Sequence, residues 1–226
     1  KVFMGENYLQ NFVGSVFDAL IATGTPVAGS TVAVSGDGRF YNKTAIQARA
    51  LIPARSEKPG HRPLVPPPVS QIIIKMAAAY GVKAVWCGTD GLLSTPAMSA
   101  VIRTHGAGFV PIGGFILSAS HNPGGIDEDF GIKYNCENGA CRSLLRGHAS
   151  LPPPLTRSVN PSGAGGPAPE KVTNLIYENT TKISSYKICN GVPDVDLTKA
   201  ASYDLGTGAP PRRLDPRRSQ RLTRPP

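Results

Sequence analysis

The side chains best suited to chemistry are Ser120, His121 and Lys133, all inside the run GGFILSASHNPGGIDEDFGIKYN that spans residues 113–135. A short apolar segment leads into the loop Ser120-His121-Asn122-Pro123-Gly124-Gly125. An acidic patch follows, and a second apolar run carries the lysine. A serine hydroxyl in a bare backbone loop, with a cation close by, suits the handling of a phosphate group. Hydrolase chemistry fits less well. There is no G-x-S-x-G elbow, and a histidine directly after the serine does not readily turn back onto it as a base. Arg39, in the turn Ser35-Gly36-Asp37-Gly38-Arg39-Phe40, has two readings. It reaches the serine loop, or it is a structural turn residue. Cys136, Cys141 and His148 invite a zinc site, but a single C-x4-C without a second pair falls short of four ligands.

These residues need elements to hold them. Residues 6–20 place Tyr8, Leu9, Phe12, Val13, Val16, Phe17 and Leu20 at helical spacing, predicting an amphipathic helix ended by Gly24-Thr25-Pro26. Thr31-Val32-Ala33-Val34 predicts a short strand running into the glycine-rich turn that carries Arg39. A helix begins near Lys43, capped by Asn42 or Thr44, and resumes at Ile72 before ending at Gly81. Residues 82–87 predict a second strand, with a turn at Gly88-Thr89-Asp90-Gly91 after it. Residues 96–104 predict a helix with Pro96 in its first turn. Residues 113–118 and 130–134 predict strands on either side of the serine loop. Pro169 opens a last helix with Val172, Leu175 and Ile176 apolar. This alternation predicts an α/β fold, a mixed sheet of about four strands between helices.

The chain has 226 residues, 40% of them hydrophobic, enough for a real core in one or two domains. Its net charge of +9 and its 22 prolines suggest at first a nucleic-acid binder with unstructured arms. Their placement argues otherwise. Residues 48–71, 140–165 and 206–226 hold 13 of the 24 Lys and Arg, 2 of the 15 Asp and Glu, and 15 of the 22 prolines. The rest of the chain has an ordinary, slightly acidic balance. Prolines forbid helix interior, so the first of these segments interrupts the helix that resumes at Ile72. The expected organisation is one domain over 1–205, interrupted by inserts at 48–71 and 140–165, with 206–226 a disordered basic tail. The Pro/Arg/Ser-rich character of the inserts and tail, with a smaller oddity at 106–110, suggests translated non-coding sequence. No apolar run approaches the roughly 20 residues of a membrane helix, and the charged start does not read as a signal peptide. Four cysteines without framework spacing read as free thiols. The expected location is cytosolic.

With its flanks, GGFILSA before it and DFGIKYN after it, the serine loop resembles the active-site serine loop of the phosphoglucomutases, within the wider phosphohexomutase family. The resembling segments are 1–47, 72–139 and 166–197, most of the first of that family's four domains. The resemblance implies that Ser120 carries a phosphoryl group, donates it to one sugar hydroxyl and recovers it from another, by way of a sugar bisphosphate. It implies catalytic roles for Ser120, His121 and Lys133. Lys133 acts as a cation or proton-transfer partner beside the transferring group, and His121 helps position substrate and phosphate. Asn122 and Arg39 fall on the substrate- and phosphate-binding side of the same site.

The implied cofactor is Mg2+, held through the phosphate on Ser120 and by aspartates of a later domain. Asp127, Glu128 and Asp129 therefore read as a solvated acidic loop. The implied substrate is a hexose phosphate, and the parent reaction interconverts glucose 1-phosphate and glucose 6-phosphate. That family's metal-binding, sugar-reading and phosphate-binding domains, and its N-terminal Gly-Thr-Ser-Gly-Leu-Arg-type segment, have no match within these 226 residues. The expectation is an incomplete, inactive fragment, acting on neither membrane nor nucleic acid. An expectation of another class is a non-catalytic binding or regulatory protein that keeps the fold and uses its arginine tail to attract acidic partners. No aromatic residue is interleaved with the tail arginines, as a single-strand binder would have.

Overall fold

The computed structural model describes residues 3, 5, 7–42, 45, 72–104, 110–125, 127–137, 165–189, 191–192 and 195–199. The 48–71 insert, nearly all of 140–165 and the 206–226 tail lie outside the described residues. So do Lys43, Thr44, Cys141 and His148, with the helix start and the zinc reading that rest on them. The described elements run α1 (Tyr8–Ala22), β1 (Thr31–Gly36), α2 (Ile72–Ala79), β2 (Ala84–Leu92), α3 (Thr95–Thr104), β3 (Pro111–Leu117), β4 (Ile132–Cys136) and α4 (Glu170–Lys182).

The strands form one mixed sheet in the order β2-β1-β3-β4. β1 pairs in parallel with both β2 and β3, and β4 closes the sheet antiparallel to β3. Both faces are covered, which explains why β1 is apolar at successive positions rather than alternating. Val32 and Val34 face one way, into a large core shared with Leu9, Val13 and Phe17 of α1, Ile73 and Met76 of α2, and Val172 and Ile176 of α4. Ala33 faces the other way, with Trp86 and Ile116, against Met98, Val101 and Ile102 of α3. The result is the expected α/β fold, a four-stranded mixed sheet with helices on both sides.

Two differences from the sequence reading have clear causes. Residues 88–91 were expected to leave the second strand in a turn, but β2 continues to Leu92. The pairing jumps from Val34–Cys87 to Gly36–Leu92, so the turn chemistry is absorbed as an irregularity inside the strand. Asp90 (φ 57°) and Gly91 (φ 72°) mark the place. Residues 88–91 take no part in the ladder with β1, and the Asp90 N–H donates to Leu197 O (2.8 Å). β4 lies at Ile132–Cys136, two residues later than expected, because its register is set by β3 through the Gly113–Cys136 to Leu117–Ile132 pairs.

Candidate active site

The serine loop leaves the C-terminal end of β3, and the Asp37-Gly38-Arg39-Phe40 turn leaves the C-terminal end of β1 beside it. The chain runs from β1 outward to β2 and then back across to β3. The crevice between β1 and β3 is therefore the sheet's switch point, where open α/β sheets place their ligands. Strand order alone brings Arg39 and Ser120, far apart in sequence, to the same rim.

The loop is tied at its base and again at its tip. The Ser118 N–H donates to Gly131 O (2.9 Å), closing the excursion between β3 and β4. The Asn122 N–H donates to Ala119 O (3.2 Å), folding Ser120 and His121 into a tight turn. Ser120 has φ 59°, a left-handed conformation that glycine usually takes and that costs a serine about 1–3 kcal/mol. Its side chain is aimed as a result. Lys133 Nζ, reaching over from β4, donates to Ser120 Oγ at 2.7 Å. Ser120, His121 and Lys133 are all exposed.

The other candidates hold the loop rather than open space. Asn122 Nδ2 donates to Asp129 Oδ2 (2.7 Å), pinning the two arms of the loop together. Arg39 donates through Nη2 to Ser120 O (3.1 Å) and through Nη1 to Asp129 O (2.8 Å). The Phe40 N–H donates to Gly124 O (3.1 Å). Gly124 fits closely here, since a Cβ at this position would lie 2.7 Å from Arg39 Cβ.

Three participants were missed by the sequence reading. Asp37 accepts from Arg39 Nε (3.0 Å to either oxygen) and Nη2 (2.8 Å). Ser118 Oγ accepts from the Ser120 N–H (3.0 Å) and hydrogen-bonds Asp37 in turn. Asn42 is 1% exposed and donates through Nδ2 to Asp37 Oδ1 (3.2 Å) and Leu117 O (3.1 Å). The available signal was the Asp-Gly-Arg spacing, which lets a carboxylate and a guanidinium meet around one glycine. Burial raises the Asp37 carboxyl, but hydrogen bonds from Arg39 and Ser118 and the Arg39 charge outweigh it, leaving it below the usual carboxylate range. The stability this contributes is present above the ordinary carboxylate range and is lost as pH falls through the lowered folded value.

Gly36 is where this cluster meets the sheet. An added Cβ would lie 2.6 Å from Leu117 O and press on Asn42 Nδ2. Gly36→Ala is expected to cost about 1–3 kcal/mol by overpacking, read as a lower urea midpoint with an unchanged slope.

Mg2+ was tested against the donors near Ser120. Asp37 is occupied by Arg39, Asn42 and Ser118, and Asp129 Oδ2 by Asn122. Among the described residues no three His, Cys, Asp or Glu side chains come together in a way that could hold a metal ion. These residues do not form a metal site by themselves.

With this geometry in view, the comparisons with known proteins are specific. Residues 66–143 match the phosphoglucomutase/phosphomannomutase alpha/beta/alpha domain I. The cytoplasmic phosphoglucomutase of Solanum tuberosum is 48% identical over 200 residues, 88% of this chain and 25% of that protein. The chain carries a phosphoglucomutase/phosphomannomutase domain I. The cytoplasmic phosphoglucomutase of Pisum sativum is 46% identical, again over 88% of this chain and 25% of its own length. The crystal structure of the Paramecium exocytosis-sensitive phosphoprotein parafusin, a phosphoglucomutase in its open form, superposes with a TM-score of 0.60 at 32% identity. It covers 89% of this chain and 27% of that one. The chain thus spans about a quarter of the length of the curated relatives it matches. The residues that match domain I include the serine loop and the lysine on β4, and the Asp37-Gly38-Arg39 turn that contacts the loop precedes them in the chain.

Proposed function

We propose that this domain serves a phosphoglucomutase-type reaction in which Ser120 stores and returns a phosphoryl group during glucose 1-phosphate and glucose 6-phosphate interconversion. The observation that carries the reading is the Lys133 Nζ contact to Ser120 Oγ at 2.7 Å, on a serine held in a left-handed turn at the sheet's switch point. When the phosphoryl group moves to a sugar hydroxyl, the P–Oγ bond breaks and a P–O bond to the sugar forms. The electron pair stays on Oγ, which takes up a proton as the attacking sugar hydroxyl gives one up. Lys133 is already placed to meet that charge, which is where a preorganised donor contributes most. In the reverse step the same N–H lies beside the incoming phosphate. His121, exposed on the next residue of the turn, is assigned to positioning the sugar phosphate, with Asn122 bracing the loop.

Mg2+ is the cofactor this reading calls for; when bound, it would offset the charge of the transferring group, and its carboxylates would come from outside the described residues. The cytoplasmic naming of the relatives supports a cytosolic setting. No helix among the described residues is long and apolar enough to cross a membrane. By itself the 226-residue chain is expected to give little or no mutase turnover in a coupled assay, because substrate orientation and charge neutralisation need more groups than domain I brings. Its own contribution is measurable in a single turnover. Incubation with a hexose bisphosphate should place one phosphoryl group on Ser120, found by peptide mass spectrometry and absent in Ser120→Ala. Labelling that persists in Ser120→Ala, or no labelling of the unaltered chain with Mg2+ present, would overturn the assignment. Robust Ser120-dependent mutase turnover would overturn the inactivity of the isolated chain.

A further inference from the structure

Arg39 is unusual for a residue in an exposed turn, because its side chain is only 7% exposed. Four of the five guanidinium N–H groups are used. Nε and one Nη2 hydrogen go to Asp37, the other Nη2 hydrogen to Ser120 O, and one from Nη1 to Asp129 O. On the opposite side, Ser118 Oγ joins the Asp37 carboxylate to the Ser120 N–H. Both peptide groups of Ser120 therefore lead back to one ion pair. Its carbonyl is held by Arg39, and its N–H is held through Ser118 by Asp37.

A serine in the left-handed region stays there only if its surroundings over-determine it. We infer that Asp37 and Arg39 form a latch that fixes the backbone of Ser120 and so aims its Oγ at Lys133. They are positioning residues, and Arg39 is not a ligand of the substrate phosphate. A phosphate oxygen would have to displace Asp37 or a loop carbonyl to gain a fork from Arg39, and the Asp37 carboxylate already neutralises its charge. The catalytic half of this inference rests on the phosphoryl-transfer reading above; the structural half does not.

The test uses Arg39→Lys, Asp37→Asn and Ser118→Ala in the full 226-residue chain. Lysine keeps the charge of Arg39 but cannot reach Asp37 and two carbonyls at once. Asparagine keeps the shape of Asp37 and loses its charge. Amide hydrogen exchange is read first. In Arg39→Lys and Asp37→Asn, amides in the 118–125 loop are expected to exchange at least about tenfold faster, with the amides of α1 and β3 unchanged. In Ser118→Ala the effect is expected at the Ser120 amide alone. Loop exchange that matches the unaltered chain in all three would overturn the latch. If the first two variants lose protection in α1 as well, Ser118→Ala decides, and an unchanged Ser120 amide there would overturn it.

Single-turnover labelling of Ser120 is then measured over a range of hexose bisphosphate concentrations. A latch predicts a maximal rate lower by about tenfold or more, at a half-saturating concentration within about twofold of the original. A raised half-saturating concentration at an unchanged maximal rate would make Arg39 a phosphate ligand and overturn the inference. If the unaltered chain takes no phosphoryl group, the functional reading fails, and the exchange data still decide the latch.

Discussion

Lys133→Met is expected to slow phosphorylation of Ser120 by about 100- to 1,000-fold, the usual loss when one preorganised donor to a developing charge is removed. Methionine keeps most of the length and apolar surface of the lysine stem, so the change isolates the ammonium group. Lys133 is exposed and sits in β4 opposite Ile116 of β3, a ladder position set by backbone pairing that does not depend on its side chain. The melting temperature should therefore stay within a few degrees. Lys133→Arg restores a cation but offers a planar fork where one N–H now meets Oγ at 2.7 Å, so recovery should be partial. The measurement is the single-turnover labelling rate at saturating hexose bisphosphate. A rate within threefold of the original in Lys133→Met would remove the lysine from the chemistry and leave it a surface strand residue with an incidental contact.

The largest stability effect is expected at Phe17. Its ring is fully buried, stacks on Tyr80 at 4.7 Å and meets Phe115 edge-on at 5.4 Å. It thereby joins α1 to the residue just past α2 and to the strand that ends in the serine loop. Phe17→Ala should cost about 3–5 kcal/mol from lost burial and the cavity left behind. Against a total of about 5–15 kcal/mol for a typical domain, that is a large share, and the melting temperature should fall by on the order of 10 °C. Tyr177→Ala is the control. That ring is 71% exposed on α4, and its loss should stay within about 0.5 kcal/mol. A loss below 1 kcal/mol for Phe17→Ala, in urea unfolding with an unchanged slope, would mean that α1 packs differently from what is described here.

Much of the framework was legible because each element's burial is written in its own period. Leu9, Val13, Val16, Phe17 and Leu20 recur at helical spacing and all five are buried. Thr31-Val32-Ala33-Val34 was readable as a strand because it is β-branched and short. β2 was read less well. Its Gly88-Thr89-Asp90-Gly91 run has turn chemistry, and the pairing with β1 skips it and resumes at Leu92. Asp37, Ser118 and Asn42 were not read as parts of the site, for a related reason. Each is an ordinary polar residue near the rim of the sheet, and what joins them into one cluster is the contact between the segment after β1 and the end of β3.

Through its resemblance to the phosphoglucomutase serine loop, the amino-acid sequence predicts a phosphate-handling role for Ser120 and points to Lys133 as the cation near it. That information is local, because the loop and both flanks that carry the resemblance lie within residues 113–135. It also predicts an α/β sheet, because alternating periods of helix and strand leave few ways to bury both faces. Which strand ends share a rim depends on strand order, and strand order follows from long-range packing that no local period encodes. The tertiary structure places the ends of β1 and β3 side by side, brings the Arg39 guanidinium onto the carbonyls of Ser120 and Asp129, and sets Ser120 in a left-handed conformation.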